Sequence, residues 1–312
     1  DIVTDAHPRQ IKRLFSRCYL IGKRFRLAHV YISPDRFIEV ATFRAAAVPV
    51  VSQGKSFQNN NVFGTIEEDV MRRDFTINAL YYNSADSSIV DYTGGLADIE
   101  RKILRSIGDP AERFKEDPVR IIRAARFSAR FGFRLSKKVY SAAVAGADLI
   151  KDANANRLLE ELYKILKCGA SAGSIVKLHR FGVLKYWLPE LEENGVSLNL
   201  RERLGLIDRR RIAGEDIPVG VLITALFYDL FSSLTDCSIV NTGTHDVFMK
   251  ARDIFSPVAA RLHLPRKESD RVCNIISRIS YFFDSSDRKR NSSFEQRFIR
   301  NEHFSDTLYF YS

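Results

Sequence analysis

The chain of 312 residues has four cysteines, Cys18, Cys168, Cys237 and Cys273, and no two of them form a C-x-x-C pair. Their scatter excludes a disulfide framework and a zinc ribbon, and it suits a reducing cytosol. A cytoplasmic protein is therefore expected. No apolar run approaches the ~20 residues of a membrane helix, and no signal peptide is visible. There is no repeat of solenoid period. An initiating methionine is also missing, since the chain opens at Asp1-Ile2-Val3-Thr4 in strand-like sequence. It reads as a piece of a longer protein that starts inside an element.

What is present is basic charge and enough length for two domains or three small helical ones. The formal net charge of +10 points to a polyanionic partner, because lysine and arginine gain binding energy by releasing counterions from phosphates. A merely basic surface would give the same number.

Pro8 at a first helical position, followed by Ile11, Leu14 and Phe15, predicts a short amphipathic helix. Strand-like runs follow at Tyr19–Gly22, Phe25–Ser33 and Phe37–Phe43, the last two joined by a turn at Pro34-Asp35-Arg36. Residues 44–61 show no periodicity and read as a mobile loop. Residues 62–78 read as a helix, and the runs 80–83 and 89–92 as a hairpin, before a last short strand near 103–107. Beyond Asp109 strand signals nearly vanish. Helices are predicted over 119–131, stopped by Gly132, over 156–167, and over 171–180, followed by Gly182. The expected class is α+β: a head with a small, mainly antiparallel sheet and flanking helices over 1–107, then an all-α neck over 108–191 and body over 192–312.

Two charged clusters carry the chemistry. In the second, Asp117, Arg120, Arg123 and Arg126 are spaced by three, so on a helix the three arginines share about one third of the circumference. Three guanidiniums fanned over one face can grip a triphosphate. Asp117, one turn before Arg120 and on its face, can complete a donor–acceptor pair for a purine edge. Val119, Ile122 and Ala125 can seat the helix. A solvated basic face laced with one salt bridge is the structural alternative. In the first cluster, Arg72, Arg73, Asp74 and Asn78 flank Phe75, Ile77 and Leu80. Asp74 and Asn78, one helical turn apart, could hold ribose hydroxyls or order a catalytic carboxylate, or simply cap a helix. Glu39 interrupts the apolar strand Phe37-Ile38-Glu39-Val40-Ala41, and such an acid should face a metal or an arginine, or else be a salt-bridged structural residue. Asp1 is a second candidate for holding magnesium through oxygen.

At these residues the chain resembles the class II nucleotidyltransferases, the bacterial poly(A) polymerases and tRNA CCA-adding enzymes. The likeness rests on RRDFTINAL (Arg72–Leu80), DYTGGLADIERKILRSIGDP (Asp91–Pro110) and EDPVRIIRAARFSARFGF (Glu116–Phe133). It continues through NRLLEELYKILKCG (Asn156–Gly169) and FGVLKYWLPEL (Phe181–Leu191), covers about the first 190 residues and is diffuse beyond them. The resemblance implies two-magnesium adenylyl transfer from ATP to RNA 3′ ends, of mRNA or tRNA, by a monomer. Asp1 matches the second aspartate of a metal-binding D-x-D and Glu39 the third strand carboxylate. Asp74 matches a residue that is either a third active-site acid or a ribose contact, with Arg73 and Asn78 on the nucleotide beside it. Asp117 and Arg120 match the pair that reads the incoming base, and Arg123 and Arg126 the positions that hold phosphates and sugar. The first aspartate of D-x-D and the G-G-x-V-R-D turn that precedes it are not in the chain. The stretch LIGKRFRLAHV (Leu20–Val30) is similar to the one that separates poly(A) polymerases from CCA-adding enzymes, and favours the former. A CCA- or A-adding tRNA enzyme and a catalytically impaired RNA-binding relative are the rival readings.

In the helical remainder, Arg201, Arg203, Arg209, Arg210 and Arg211, then Arg288-Lys289-Arg290, Arg297 and Arg300, are either an RNA-backbone surface or solvated loops. His245-Asp246 has no second histidine at ligand spacing and is not read as a phosphohydrolase metal site.

Overall fold

The computed structural model describes residues 2–22, 27–45, 48–52, 55–59, 62–193, 195–235, 243–283, 299–300 and 303–312. They fall into two units, Asp1–Asp109 and Pro110–Ser312.

In the first unit, β1 (Ile2–Thr4) and α1 (Pro8–Leu14) precede a meander of β2 (Cys18–Ile21), β3 (Leu27–Ser33) and β4 (Arg36–Thr42). The four strands form one sheet in the order β1-β4-β3-β2. The meander is antiparallel, while β1 runs parallel to β4 with Ile2 opposite Val40. Aromatic and β-branched residues fit this half-buried pleat, and their alternation decides its faces. Cys18, Ala28 and Val40 point inward with Leu20, Val30 and Ile38, and Ile11 of α1 covers them. Pro8 fixes the entry of α1, where the His7 N–H donates to Gln10 Oε1 at 2.7 Å.

Residues 44–61, expected to lack structure, carry the two-stranded ribbon β5 (Val48–Ser52) and β6 (Lys55–Asn59). Val48, Val50 and Val51 supply strand propensity that an eye on the asparagines and Gly54 overlooks, and proline is tolerated in such a ribbon. The helix expected over 62–78 is also shorter. It is α2 (Ile66–Arg72), opened by a Thr65–Glu68 capping box and closed at Arg73, whose backbone is extended. The Asp74 carboxylate accepts the Phe75 N–H at 2.9 Å, a local bond that competes with the helix. Phe75 then bridges to Ser106, and Thr76–Asn78 form a single 3-10 turn. The hairpin β7 (Leu80–Asn83) and β8 (Ser88–Asp91) follows, with α3 (Gly95–Glu100) and the short β9 (Ile103–Leu104). Val70, Ala79, Tyr81 and Ile107 form the second core of the unit, packed by Val3, Phe43, Ile66 and Val90.

The second unit is almost wholly helical among the described residues. α4 (Pro110–Glu116) leads through Asp117 and Pro118 into α5 (Val119–Phe131), which ends at Gly132 with φ +67°. α6 (Lys137–Ala145), α7 (Ala155–Lys167), α8 (Ser171–Arg180), α9 (Leu184–Trp187), α10 (Pro189–Glu193) and α11 (Leu198–Ile212) follow. The Asn154 side chain caps α7. α12 (Val219–Phe227) is apolar all round and buried along its length, so it forms the centre of the C-terminal half. α13 (Ser232–Thr235), α14 (Thr244–Arg261), α15 (Arg266–Phe283) and α16 (Phe304–Tyr311) complete the chain. The α+β head followed by helices is the expected class.

Candidate nucleotide and RNA site

In the first unit the end of α2 and the 3-10 turn bring Asp74 and Asn78 together. Asn78 Nδ2 donates to Asp74 Oδ1 at 3.1 Å, and Asp74 is buried. The sequence pairing of these two residues holds, although on a turn rather than an α-helix. Arg73 points elsewhere. Its Nε and Nη2 reach Asp69 Oδ2 at 3.3 and 3.1 Å, its Nε reaches the Tyr81 hydroxyl at 2.9 Å, and its Nη1 donates to the Asn78 carbonyl at 3.1 Å. Tyr81 donates to the same Asp69 oxygen at 2.7 Å. Burial and the neighbouring carboxylate push the Tyr81 phenol well above its ordinary value. Asp69 also accepts the Arg44 N–H at 3.2 Å. Burial lowers the Arg44 guanidinium, against the opposing pull of Asp69. These groups border a cavity of about 270 Å³ lined by Val3, Ala41, Thr42, Arg44, Asp69, Arg72 and Arg73. Asp69 was not among the sequence candidates. Its signal was the spacing of four residues to Arg73 on one helix.

Glu39 faces neither an arginine nor a described metal ligand set. Its Oε1 lies 3.2 Å from His29 Nε2, across the β3–β4 register, and the side chain is 40% exposed. The cross-strand histidine is what satisfies the strand-borne acid. Among the described residues no group of three His, Cys, Asp or Glu side chains is placed to hold a metal. Asp1 lies outside the described residues, whose first member, Ile2, pairs with Val40 next to Glu39. The partly open Glu39 carboxylate, midway along β4, is the kind of oxygen donor that a hard divalent cation takes as one ligand.

In the second unit the expected pairing of Asp117 with Arg120 is replaced by two others. Asp117 accepts a bidentate pair from Arg157 of α7 at 2.9 and 2.7 Å. Arg120 donates to Glu116 at 2.9 Å and to the Arg113 carbonyl at 2.7 Å. Asp117 precedes Pro118, so it lies outside α5 and its carboxylate is free to turn toward α7. Arg123 and Arg126, expected as an open fan, both converge on Glu161 of α7, at 3.5 and 3.0 Å, and Lys164 joins at 2.9 Å. Arg126 is only 6% exposed and Glu161 only 2%. A buried carboxylate is tolerated there because it meets several cations. Arg157 and Glu161 went unread because the apolar stripe of α7 dominates that segment; their four-residue spacing was the available signal.

Of the basic residues further on, Arg203 binds the Ala225 carbonyl and Asp229, and Arg210 binds Glu215 and covers the Tyr309 ring at 3.6 Å. Arg211 binds the Lys167 and Glu215 carbonyls. These three tie helices together. Arg201 and Arg209 line an open groove between α8 and α11. Residues 288–290 and Arg297 lie outside the described residues.

Residues 1–105 match the family described as the poly A polymerase head domain, and residues 132–194 that described as the probable RNA and SrmB-binding site of polymerase A. Poly(A) polymerase I of Escherichia coli O6:H1 is 45% identical over 285 residues, covering 86% of this chain and 61% of its own length. The CCA-adding enzyme of Bacillus subtilis is 36% identical over 178 residues, covering 57% of this chain and 44% of its own length. The chain thus spans 61% of the length of the E. coli relative. The crystal structure of the Bacillus stearothermophilus CCA-adding enzyme in complex with CTP has a TM-score of 0.65 at 23% identity, covering 99% of this chain and 67% of that one. This last likeness is one of fold.

Proposed function

Because the chain belongs to the family of poly(A) polymerases and CCA-adding enzymes, we propose that it takes part in adding AMP from ATP to RNA 3′ ends, with release of pyrophosphate. The single observation that carries this reading is the 45% identity over 285 residues to a poly(A) polymerase I. The RNA 3′-hydroxyl attacks the α-phosphorus of ATP, one P–O bond forms, and the bond to pyrophosphate breaks. Asp1 and Glu39 would hold the magnesium ions, which supply Lewis-acid stabilisation of charge at the phosphates.

The other roles fall to this chain's own groups. Asp117 and Arg120 read the base by hydrogen bonds that a wrong base leaves unpaired. Arg157 supports this role by fixing the Asp117 carboxylate in one orientation. Arg123 holds phosphates and sugar, and the buried Arg126 helps to position it through the shared Glu161. Glu161 orients both guanidiniums and neutralises only part of their charge. Asp74, ordered by Asn78, serves the ribose or the reacting centre, and Arg73 supports that turn through the Asn78 carbonyl. The reading includes a cytoplasmic monomer. Cys18, Cys168 and Cys273 are free thiols, and no described helix is long and apolar enough to cross a membrane.

The test is incubation with a generic RNA and each nucleoside triphosphate separately. ATP is incorporated, chelation of magnesium abolishes incorporation, and Arg120→Ala reduces the preference for ATP over CTP by tenfold or more, corresponding to about 1.4 kcal/mol. Equal CTP use by the unaltered protein, or extension of tRNA alone, favours the CCA-adding relatives instead.

A further inference from the structure

The face of the four-stranded sheet opposite α1 is lined by rings. Tyr19 and Tyr31 meet edge-on at 5.6 Å, Tyr31 and Phe37 lie 5.5 Å apart, and His29 stacks on Phe37 at 4.2 Å. The registers place Tyr19 across from His29, His29 across from Glu39, and Tyr31 across from Phe37. Tyr19 is 62% exposed and Phe37 46%. Cross-strand aromatic pairs stabilise a sheet by ~0.2–1 kcal/mol each. That accounts for the ring-to-ring contacts, but it does not require so much ring surface to be left in water.

Three features fit one occupant. The row crosses three strands, roughly 10 Å at ~4.8 Å per step, which is about the length of three nucleotides at ~3.4 Å each. An exposed arginine stands at its Tyr31 end: the Arg17 carbonyl accepts the Tyr31 N–H at 2.9 Å. Its charge suits a phosphodiester backbone. At the other side the row reaches Glu39 through His29.

We propose that this sheet face is a stacking platform for the last bases of a single-stranded RNA 3′ end, with the terminal nucleotide on the Glu39 side. Stacking on aromatic rings tolerates any sequence, because every base has a π-face, and that is what an enzyme working without a template requires. The assignment of Glu39 to the reacting end rests on the adenylyltransferase reading; the platform itself does not.

The test uses the whole chain without ATP and a 12-nucleotide single-stranded RNA carrying 2-aminopurine next to its 3′ end. Tyr19→Ala and Tyr31→Ala each weaken binding about fivefold or more and relieve the quenching of the 2-aminopurine. Tyr19→Phe restores both. The salt dependence keeps its slope, because a ring neutralises no phosphate, and a blunt duplex of equal length binds as before. Photocrosslinking of a 3′-terminal 4-thiouridine to the unaltered protein labels the peptides holding Tyr19, Tyr31 or Phe37, which keeps the test decisive should a variant fail to fold. Unchanged single-strand affinity in folded variants, equal weakening for duplex, or label confined to other peptides overturns the platform. So does a dimer that Tyr19→Ala dissociates while RNA affinity stays the same, since the face would then serve a second copy. AMP incorporation is measured separately: stacking without incorporation sinks the transferase reading alone, and incorporation without stacking sinks the platform alone.

Discussion

Asp69 collects the Arg44 N–H, the Arg73 guanidinium and the Tyr81 hydroxyl on one largely buried carboxylate. Removing an acceptor shared by three donors leaves each of them short of a partner. Asp69→Ala should therefore cost about 2–3 kcal/mol in urea unfolding, against about 1 kcal/mol for Tyr81→Phe, which keeps the charge pair. Asp91 tests a different effect. Its desolvation alone would raise its pKa, but N–H donors from Thr93, Gly94, Gly95 and Leu96 outweigh it and hold the carboxyl below the usual range. A depressed folded-state pKa contributes stability that is present above the unfolded value of about 3.9 and is lost as pH falls through the folded one. The acid limb of a thermal-melt series below about pH 4 should accordingly flatten in Asp91→Asn. Single residues were the least legible level of the sequence. Asp74 with Asn78 could be paired by spacing, and the structure brings them together. The partners of Glu39, Asp117 and Arg126 could not, because His29, Arg157 and Glu161 come from elsewhere in the fold.

Elements were more legible, wherever a local signal fixed their ends. α5 and α8 run over the predicted residues because glycine follows each near a left-handed turn, Gly132 at φ +67° and Gly182 at φ +74°. α2 stops early because Asp74 binds its own neighbour's backbone, a competition that hydrophobic spacing does not reveal. Two glycines separate backbone strain from close packing. A Cβ at Gly132 would meet nothing within 4 Å, so Gly132→Ala should cost only the left-handed penalty, about 1 kcal/mol. A Cβ at Gly95 would sit 2.4 Å from the Thr76 carbonyl oxygen. Gly95→Ala should then lower stability by about 2–3 kcal/mol, read as the larger drop in melting temperature of the two.

For the whole molecule, the net charge of +10 is a quantity that a titration can read. Arg203, Arg210 and Arg211 are paired with acids inside the second unit, and the net charge already subtracts those acids. If about five phosphates are neutralised, log Kd for single-stranded RNA rises with log salt at a slope of roughly 3–4. A slope near zero would remove the electrostatic basis for an RNA partner. The change from a mixed head to helices was legible because strand signals fade after Asp109. α12 was not, since a helix apolar on every side has no periodic face to announce it.

The parallel pairing of β1 with β4 sets an order of assembly. β2, β3 and β4 are consecutive neighbours and can zip from short turns, whereas Ile2 finds Val40 only after the chain has passed through α1 and two strands. Closing that longer loop costs more chain entropy before any bond rewards it. The aromatic meander can therefore form early, and the strand beside Glu39 docks late. In a refolding reaction the surface on which RNA is proposed to stack, Glu39 included, would mature before β1 closes its edge.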